Sequence, residues 1–127
     1  MNSFLLTLKK RILLVDDDEQ ILRTFTRILE RAGYEVETAR TAAEAKKKIR
    51  RARYAAALID IKLPDADGTD LLLKLPKTSE VAKVIITGFP SVEYGERAWD
   101  YGADDFLVKP VNPKELLETL DRLISAE

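Results

Sequence analysis

The chain alternates between two hydrophobic periods. Five short apolar runs lie at residues 11–16, 34–38, 54–60, 83–87 and 105–109, and the segments between them carry apolar residues at helical spacing. Short apolar runs bounded by Gly, Pro and Asp read as strands, while i, i+3, i+4 spacing reads as an amphipathic helix. Strict alternation with short connections constrains the fold more than any other feature. The strands must run parallel, and the crossover helices must cover both sheet faces. Right-handed crossovers make this a doubly wound α/β fold, and five strands then take the common order 2-1-3-4-5.

The helices have readable ends. Ile21, Leu22, Phe25, Ile28, Leu29 and Ala32 predict a helix over about residues 18–32, closed by Gly33. Asp18 and Glu19 read as acidic residues at its N-terminus. Tyr34-Glu-Val-Glu-Thr38 alternates, which suits an edge strand with one wet side. Thr41-Ala-Ala-Glu44 fits a capping box and opens a second helix. Its basic run, Lys46, Lys47, Lys48, Arg50, Arg51 and Arg53, reads as a solvated face. A short third helix is expected over 69–75, stopped by Pro76, and a fourth over 91–101, capped by Ser91 and closed by Gly102. Asn112-Pro-Lys-Glu115 supplies N-cap, Pro at the first turn and Glu at N3 of a fifth helix, whose core stripe is Leu116, Leu117, Leu120, Leu123 and Ile124.

Composition narrows the chemistry. A length of 127 residues suggests one domain. With 21 basic and 22 acidic residues, the net charge of −1 gives no case for direct nucleic-acid or anionic-membrane binding. There is no Cys and no His, so thiol, imidazole and most zinc chemistry is excluded. Carboxylate-rich sites then favour a hard cation such as Mg²⁺. Lack of Cys fits the cytoplasm. No stretch reaches the roughly 18 apolar residues of a membrane span. Residues 1–10 read as an N-terminal extension rather than a signal peptide, leaving 11–127 as the domain.

Polar groups stand at the ends of four of the strands. The first runs into Asp16-Asp17-Asp18, the third ends at Asp60, the fourth at Thr87 and the fifth at Lys109. In a 2-1-3-4-5 sheet, strands 1 and 3 are neighbours at the switch point, where ligands bind beyond the carboxyl ends. Clustered carboxylates raise one another's pKa, and a divalent cation removes that conflict. Asp17 and Asp60 are the better metal ligands, while Asp16 suits a metal-bound water. Asp60 can also act as a nucleophile towards phosphorus, with Thr87 and Lys109 contacting the phosphoryl oxygens and Gly88 leaving room for them.

Over about residues 11–126 the chain resembles the receiver domain of two-component response regulators. The matching segments are Ile12-Leu-Leu-Val-Asp-Asp17, Leu58-Ile-Asp-Ile-Lys-Leu-Pro64 with Asp67-Gly68, Ile85-Ile-Thr-Gly88 and Gly102-Ala-Asp-Asp-Phe-Leu-Val-Lys-Pro110. The resemblance implies a flavodoxin-like three-layer sandwich with Asp60 as phosphoacceptor and Asp16 and Asp17 as the acidic pair. Mg²⁺ would be held by Asp17 and Asp60 carboxylates and the Lys62 carbonyl. It makes Thr87 the switch hydroxyl, Lys109 the phosphate-pairing lysine and Phe106 the aromatic switch, and it implies a cis Lys109–Pro110 bond. A histidine kinase or histidine phosphotransfer protein would donate the phosphoryl group, docking by the first helix. The face of helix 4, strand 5 and helix 5 would be read by a downstream protein, an output domain or a second copy. Trp99, Tyr94 and Tyr101 are either packing residues or part of that face. No enzymatic activity is expected beyond self-phosphorylation and slow dephosphorylation.

Three other readings stay open. A haloacid-dehalogenase-type phosphohydrolase also uses a strand-end Asp, but Asp60-Ile-Lys62 lacks the second Asp such enzymes need. A phosphate-independent interaction module on the same fold is a second. A nucleotide or flavin binder is the third, and it lacks a Gly-rich phosphate loop after the first strand.

Overall fold

The computed structural model describes residues 10–78 and 80–125. The segment assigned to the N-terminal extension therefore lies, apart from Lys10, outside the described residues. The elements run β1 (Arg11–Val15), α1 (Glu19–Arg31), β2 (Glu35–Ala39), α2 (Ala42–Arg51), β3 (Ala56–Ile59), a 3-10 helix (Gly68–Lys74), β4 (Ala82–Thr87), α3 (Val92–Asp100), β5 (Asp105–Val108) and α4 (Pro113–Ser125). With the 3-10 helix in third place, α3 and α4 are the fourth and fifth helices of the sequence reading.

All strand pairs are parallel, in the order β2-β1-β3-β4-β5. The expected doubly wound flavodoxin-like sheet is present, and β2 is an edge strand. Because successive residues of a strand face opposite ways, the sheet separates two cores. Leu13, Val15, Ala57, Ile59 and Ile85 face α2, the 3-10 helix and α3. Ile12, Leu14, Leu58, Val84 and Ile86 face α1 and α4. On that second side Leu22, Phe25 and Leu29 of α1 meet Leu116, Leu120 and Ile124 of α4. Each such side chain, taken out of water, stabilises the fold by about 2 kcal/mol before chain entropy is counted.

Helix ends account for small shifts from the sequence reading. Asp18 accepts hydrogen bonds from Gln20 N and Ile21 N, so it caps α1 rather than starting it. Gly33, with φ +99°, lets Tyr34 N reach the Leu29 carbonyl at 3.1 Å. Tyr34 is thereby spent on closing α1, and β2 begins one residue later than expected. Gly102, with φ +103°, repeats this closure at α3, where Ala103 N donates to the Ala98 carbonyl at 2.8 Å. The capping box at Thr41 is half made. Thr41 Oγ1 accepts Glu44 N, but Glu44 Oε2 accepts Arg40 N rather than the N-H of Thr41 itself. Among the described residues no helix is long and apolar enough to cross a membrane.

Candidate functional site

Sheet register delivers the acidic residues to one place. Val15 lies opposite Ile59, so the next residues, Asp16 and Asp60, leave adjacent strands side by side. The ladder continues past the strands: Asp60 N donates to the Val15 carbonyl at 2.9 Å and Asp16 N to the Ala39 carbonyl at 3.0 Å. Thr87 ends β4 opposite Val108, and Lys109 N donates to the Thr87 carbonyl at 2.8 Å. Both carboxylates, the hydroxyl and the ammonium therefore hang from a hydrogen-bonded frame, where a misplacement would require breaking ladder bonds.

Lys109 Nζ lies 2.7 Å from Asp16 Oδ2 and 3.1 Å from Asp60 Oδ2. The other oxygens take backbone donors. Asp16 Oδ1 accepts Asp18 N at 2.9 Å, and Asp60 Oδ1 is within 3.4 Å of Lys62 N, a long contact. Asp16 and Asp60 are buried and Asp17 is exposed, so the acidic group opens on one side. One oxygen from each of Asp16, Asp17 and Asp60 lies within 4.8 Å of the others. An all-oxygen donor set with an open side suits a hard cation that keeps part of its water shell. These residues fit such an ion.

The two partners of the ion pair shift in ways that burial explains. Asp16 is pushed above the ordinary aspartate value, because loss of water outweighs its hydrogen bonds to Lys109 and the Asp18 backbone. Burial alone would pull Lys109 down, but the hydrogen bonds and charges of Asp16 and Asp60 together raise it. One ammonium serves two carboxylates, and their combined pull on Lys109 outweighs its own burial.

The remaining predicted residues have contacts of their own. Thr87 is fully buried, and its Oγ1 accepts Phe89 N at 3.1 Å. Lys62 Nζ stands 4.1 Å from the centre of the Phe89 ring, both side chains being exposed. Phe106 is half-buried and packs on the core beneath α2 and α3. The Lys109–Pro110 bond is cis, as expected. Tyr94 and Tyr101 pack against that same core, whereas Trp99 is 55 % exposed. Gly88 is open: a Cβ there would meet Lys109 no closer than 3.9 Å.

Three contributors were not legible in their roles. Gly68 lies so close to Asp60 that a Cβ would sit 1.8 Å from the Asp60 carbonyl oxygen. Its position in an Asp-Gly pair signalled a turn, not this approach. Asp67 caps the 3-10 helix through Thr69 N and pairs with Arg97 of α3 at 2.6 Å. Asp65 accepts Ala42 N and Ala43 N at 2.8 and 3.0 Å, capping α2 from a distant loop. Neither pairing has a local sequence signal.

Comparison with known proteins agrees with the geometry. The sequence profile of the response regulator receiver domain matches residues 12–121. The alginate biosynthesis transcriptional regulatory protein AlgB of Pseudomonas putida is 38 % identical over 107 residues, covering 84 % of this chain and 24 % of that protein. The chain thus spans about a quarter of the length of the AlgB relatives it matches. A CheY-like response regulator receiver domain protein from Methanospirillum hungatei superposes with a TM-score of 0.89 at 44 % identity, covering 94 % of this chain and 96 % of that one. A response regulator from Burkholderia pseudomallei, solved with a phosphorylated aspartic acid, calcium ion and citrate, superposes with a TM-score of 0.82 at 30 % identity, covering 93 % and 70 %. The parallel sheet in this order, the acidic cluster at its switch point and the profile over nearly the whole chain converge: the protein belongs to the response regulator receiver domain family of two-component signalling systems.

Proposed function

We propose that Asp60 is the phosphoacceptor of this receiver domain and that its phosphorylation switches the face formed by α3, β5 and α4. The observation that carries the reading is the placement of Lys109 Nζ within 3.1 Å of both Asp16 and Asp60, with Asp17 alongside. A buried carboxylate held by an ammonium, open on one side and surrounded by further oxygen donors, is built to exchange charge partners.

In this reading the Asp17 and Asp60 carboxylates and the Lys62 carbonyl would hold Mg²⁺, with Asp16 beside them, and the ion would supply positive charge to offset that on the phosphoryl oxygens. An Asp60 carboxylate oxygen attacks phosphorus of a phosphohistidine on a histidine kinase or phosphotransfer protein. The new O–P bond forms as the N–P bond breaks, and the imidazole nitrogen keeps the electron pair and takes a proton from solvent. Lys109 then leaves Asp60 Oδ2 and pairs with a phosphoryl oxygen. Thr87 Oγ1, released from Phe89 N, donates to another. Its displacement leaves space beside β4 that the half-buried Phe106 fills. The domain acts on no substrate beyond acquiring and slowly losing its own phosphoryl group.

The face so altered carries Trp99 and Val108, 55 % and 48 % exposed, apolar side chains that suit a partner surface. A downstream protein, an attached output domain or a second copy would read it. The reading places the domain at 11–127 and in the cytoplasm, with the donor kinase.

Intact mass after incubation with Mg²⁺ and acetyl phosphate tests the acceptor. One phosphoryl adduct is expected on the wild type, absent from Asp60→Asn and lost when Mg²⁺ is chelated beforehand. Beryllofluoride titration followed by Trp99 fluorescence covers an adduct too short-lived to weigh. If neither responds, the phosphate-independent interaction module is the better account.

A further inference from the structure

The basic run of α2 frames a cleft that the signalling reading does not use. Six of the chain's 21 basic residues fall within residues 46–53. Lys48 is engaged: its Nζ donates to the Thr38 carbonyl and pairs with Glu44. Lys46 faces Asp65. Lys47, Arg50, Arg51 and Arg53 are exposed and, among the described residues, make no ion pair and no hydrogen bond. The α2 dipole accounts for cations in its last turn. It does not account for Arg53, which lies beyond the helix end, nor for the shape beside it.

That shape is a cleft of about 660 Å³ between the end of α2, the end of the 3-10 helix and the start of β4. It lies at the amino ends of the strands, across the sheet from the Asp60 site. Ile49, Leu75 and Val81 give it an apolar floor, and Arg50, Arg51 and Arg53 stand around it. Its single acidic lining residue, Glu80, pairs with none of the three among the described residues. Like charges four apart on one helix face, as at Lys47 and Arg51, disfavour the helix. Here they stand next to an apolar depression, and among the described residues no carboxylate pairs with Arg50, Arg51 or Arg53.

We propose that this cleft docks an acidic segment of a partner protein, which seats one apolar side chain on the floor and pairs its carboxylates with Arg50, Arg51 and Arg53. Guanidinium groups suit bidentate carboxylate contacts, and an apolar anchor inside a charged rim is how short segments gain specificity. The cationic surface runs on from the cleft to Lys47, a turn up α2, which is further than a small anion reaches. Nucleic acid suits it less. Tyr54, the aromatic side chain in the lining, is 5 % exposed with its hydroxyl on Glu37 Oε2, so it offers no ring for base stacking. The cleft is independent of Asp60, so a partner could remain bound through the switching cycle.

Selection of a random twelve-residue peptide library on the immobilised chain tests this. Enriched sequences should carry several Asp or Glu around one or two apolar residues. A selected peptide should shift the amide signals of residues 49–54 and 75–81. Its affinity should fall at least tenfold in Arg51→Glu/Arg53→Glu and by a similar factor from low to physiological salt. Asp60→Asn should bind it as the wild type does, which separates this surface from the phosphoacceptor. The proposal is overturned if selected peptides are neutral or basic, if they perturb another face, if the charge reversal leaves affinity unchanged, or if a thymidine oligonucleotide occupies the same residues more tightly than any peptide.

Discussion

The Arg97 guanidinium sits 2.6 Å from Asp67 Oδ2 and ties α3 to the loop that follows Asp60. Asp67 uses its other oxygen for Thr69 N and Thr69 Oγ1, at 2.9 and 2.7 Å, so one carboxylate both caps the 3-10 helix and holds α3. Asp67→Ala removes both functions, while Arg97→Ala removes the pair together with weaker exposed contacts to Glu93 at 3.3 Å and to the Tyr94 ring. With both side chains partly exposed, the pair is worth about 1 kcal/mol and the cap about 1 more. Thermal unfolding should rank Asp67→Ala below Arg97→Ala. The double variant should fall below Asp67→Ala only by the few tenths of a kcal/mol that Arg97 draws from Glu93 and Tyr94, since the Asp67 pair is already lost. Strict additivity of the two losses would mean that the residues act separately.

Lys109 supplies the only ion-pair partner of Asp16 and Asp60 among the described residues. Lys109→Ala leaves two buried carboxylates without a cation, and breaking such a pair typically costs about 3 kcal/mol. A divalent cation bound by Asp16, Asp17 and Asp60 would compensate for part of the missing charge. The deficit in melting temperature should therefore narrow as Mg²⁺ is added. A deficit that ignores Mg²⁺ would argue that the acidic group does not take the ion.

Much of this was readable from the sequence because the signals are local. Apolar runs, caps such as Ser91 and Asn112, and closing glycines at 33 and 102 each act within a turn of chain, and together they fix the strand order. The candidate site was readable too, since Asp16, Asp60, Thr87 and Lys109 stand at or one residue past strand ends and register does the rest. Asp65, Asp67 and Gly68 were not. The partners of the two acids lie far off in the sequence, 23 residues away for Asp65 and 30 for Asp67. The close approach of Gly68 to the Asp60 carbonyl, which leaves no room for a Cβ, depends on how the loop folds back over Asp60, which no periodicity encodes. The cleft beside α2 was hidden for the same reason: the basic run reads as a solvated face until β4 and the 3-10 helix are placed beside it.

Asp65 should make stability depend on pH. Hydrogen bonds from Ala42 N and Ala43 N hold its pKa below the ordinary value of 3.8. A depressed carboxylate contributes its stability in full above that value and loses it as pH falls through the folded-state pKa. Asp65→Ala should melt a few degrees below the wild type at pH 7. The gap should begin to shrink below about pH 3.8, where the unfolded chain takes up its proton first, and close as pH falls through the lower folded-state value. A gap that is constant with pH would show that the side chain acts by packing, not by its charge.

Lys62 and Phe89 follow Asp60 and Thr87 by two residues each, and their exposed side chains meet, with the ammonium 4.1 Å from the ring centre. Exposed contacts of this kind are worth about 0.5–1 kcal/mol. If the pair screens a phosphorylated Asp60 from water, Lys62→Ala and Phe89→Ala should each shorten the phosphoryl lifetime roughly two- to fivefold. The double variant should be little faster than either alone. Lifetimes measured by the decay of the phosphoprotein mass decide it: single substitutions without effect, or effects that multiply, would remove the pair from any screening role.

The two glycines beside the site should respond oppositely to alanine. At Gly68 the added Cβ would lie 1.8 Å from the Asp60 carbonyl oxygen and 3.1 Å from the Ile59 side chain. Backbone at that distance cannot yield without moving Asp60 or breaking the 2.6 Å bond from Gly68 N to the Ile61 carbonyl. Gly68→Ala should cost about 3 kcal/mol, at the upper end of overpacking effects. At Gly88 the nearest atoms are Lys109 Cβ and Cδ at 3.9 Å, an ordinary contact. Gly88→Ala should leave the melting temperature unchanged. If the phosphoryl group occupies the space beside Gly88, the same substitution should weaken beryllofluoride binding while Mg²⁺ binding persists. Equal beryllofluoride affinity in Gly88→Ala and the wild type would place the phosphoryl group on the other side of Asp60, away from Thr87.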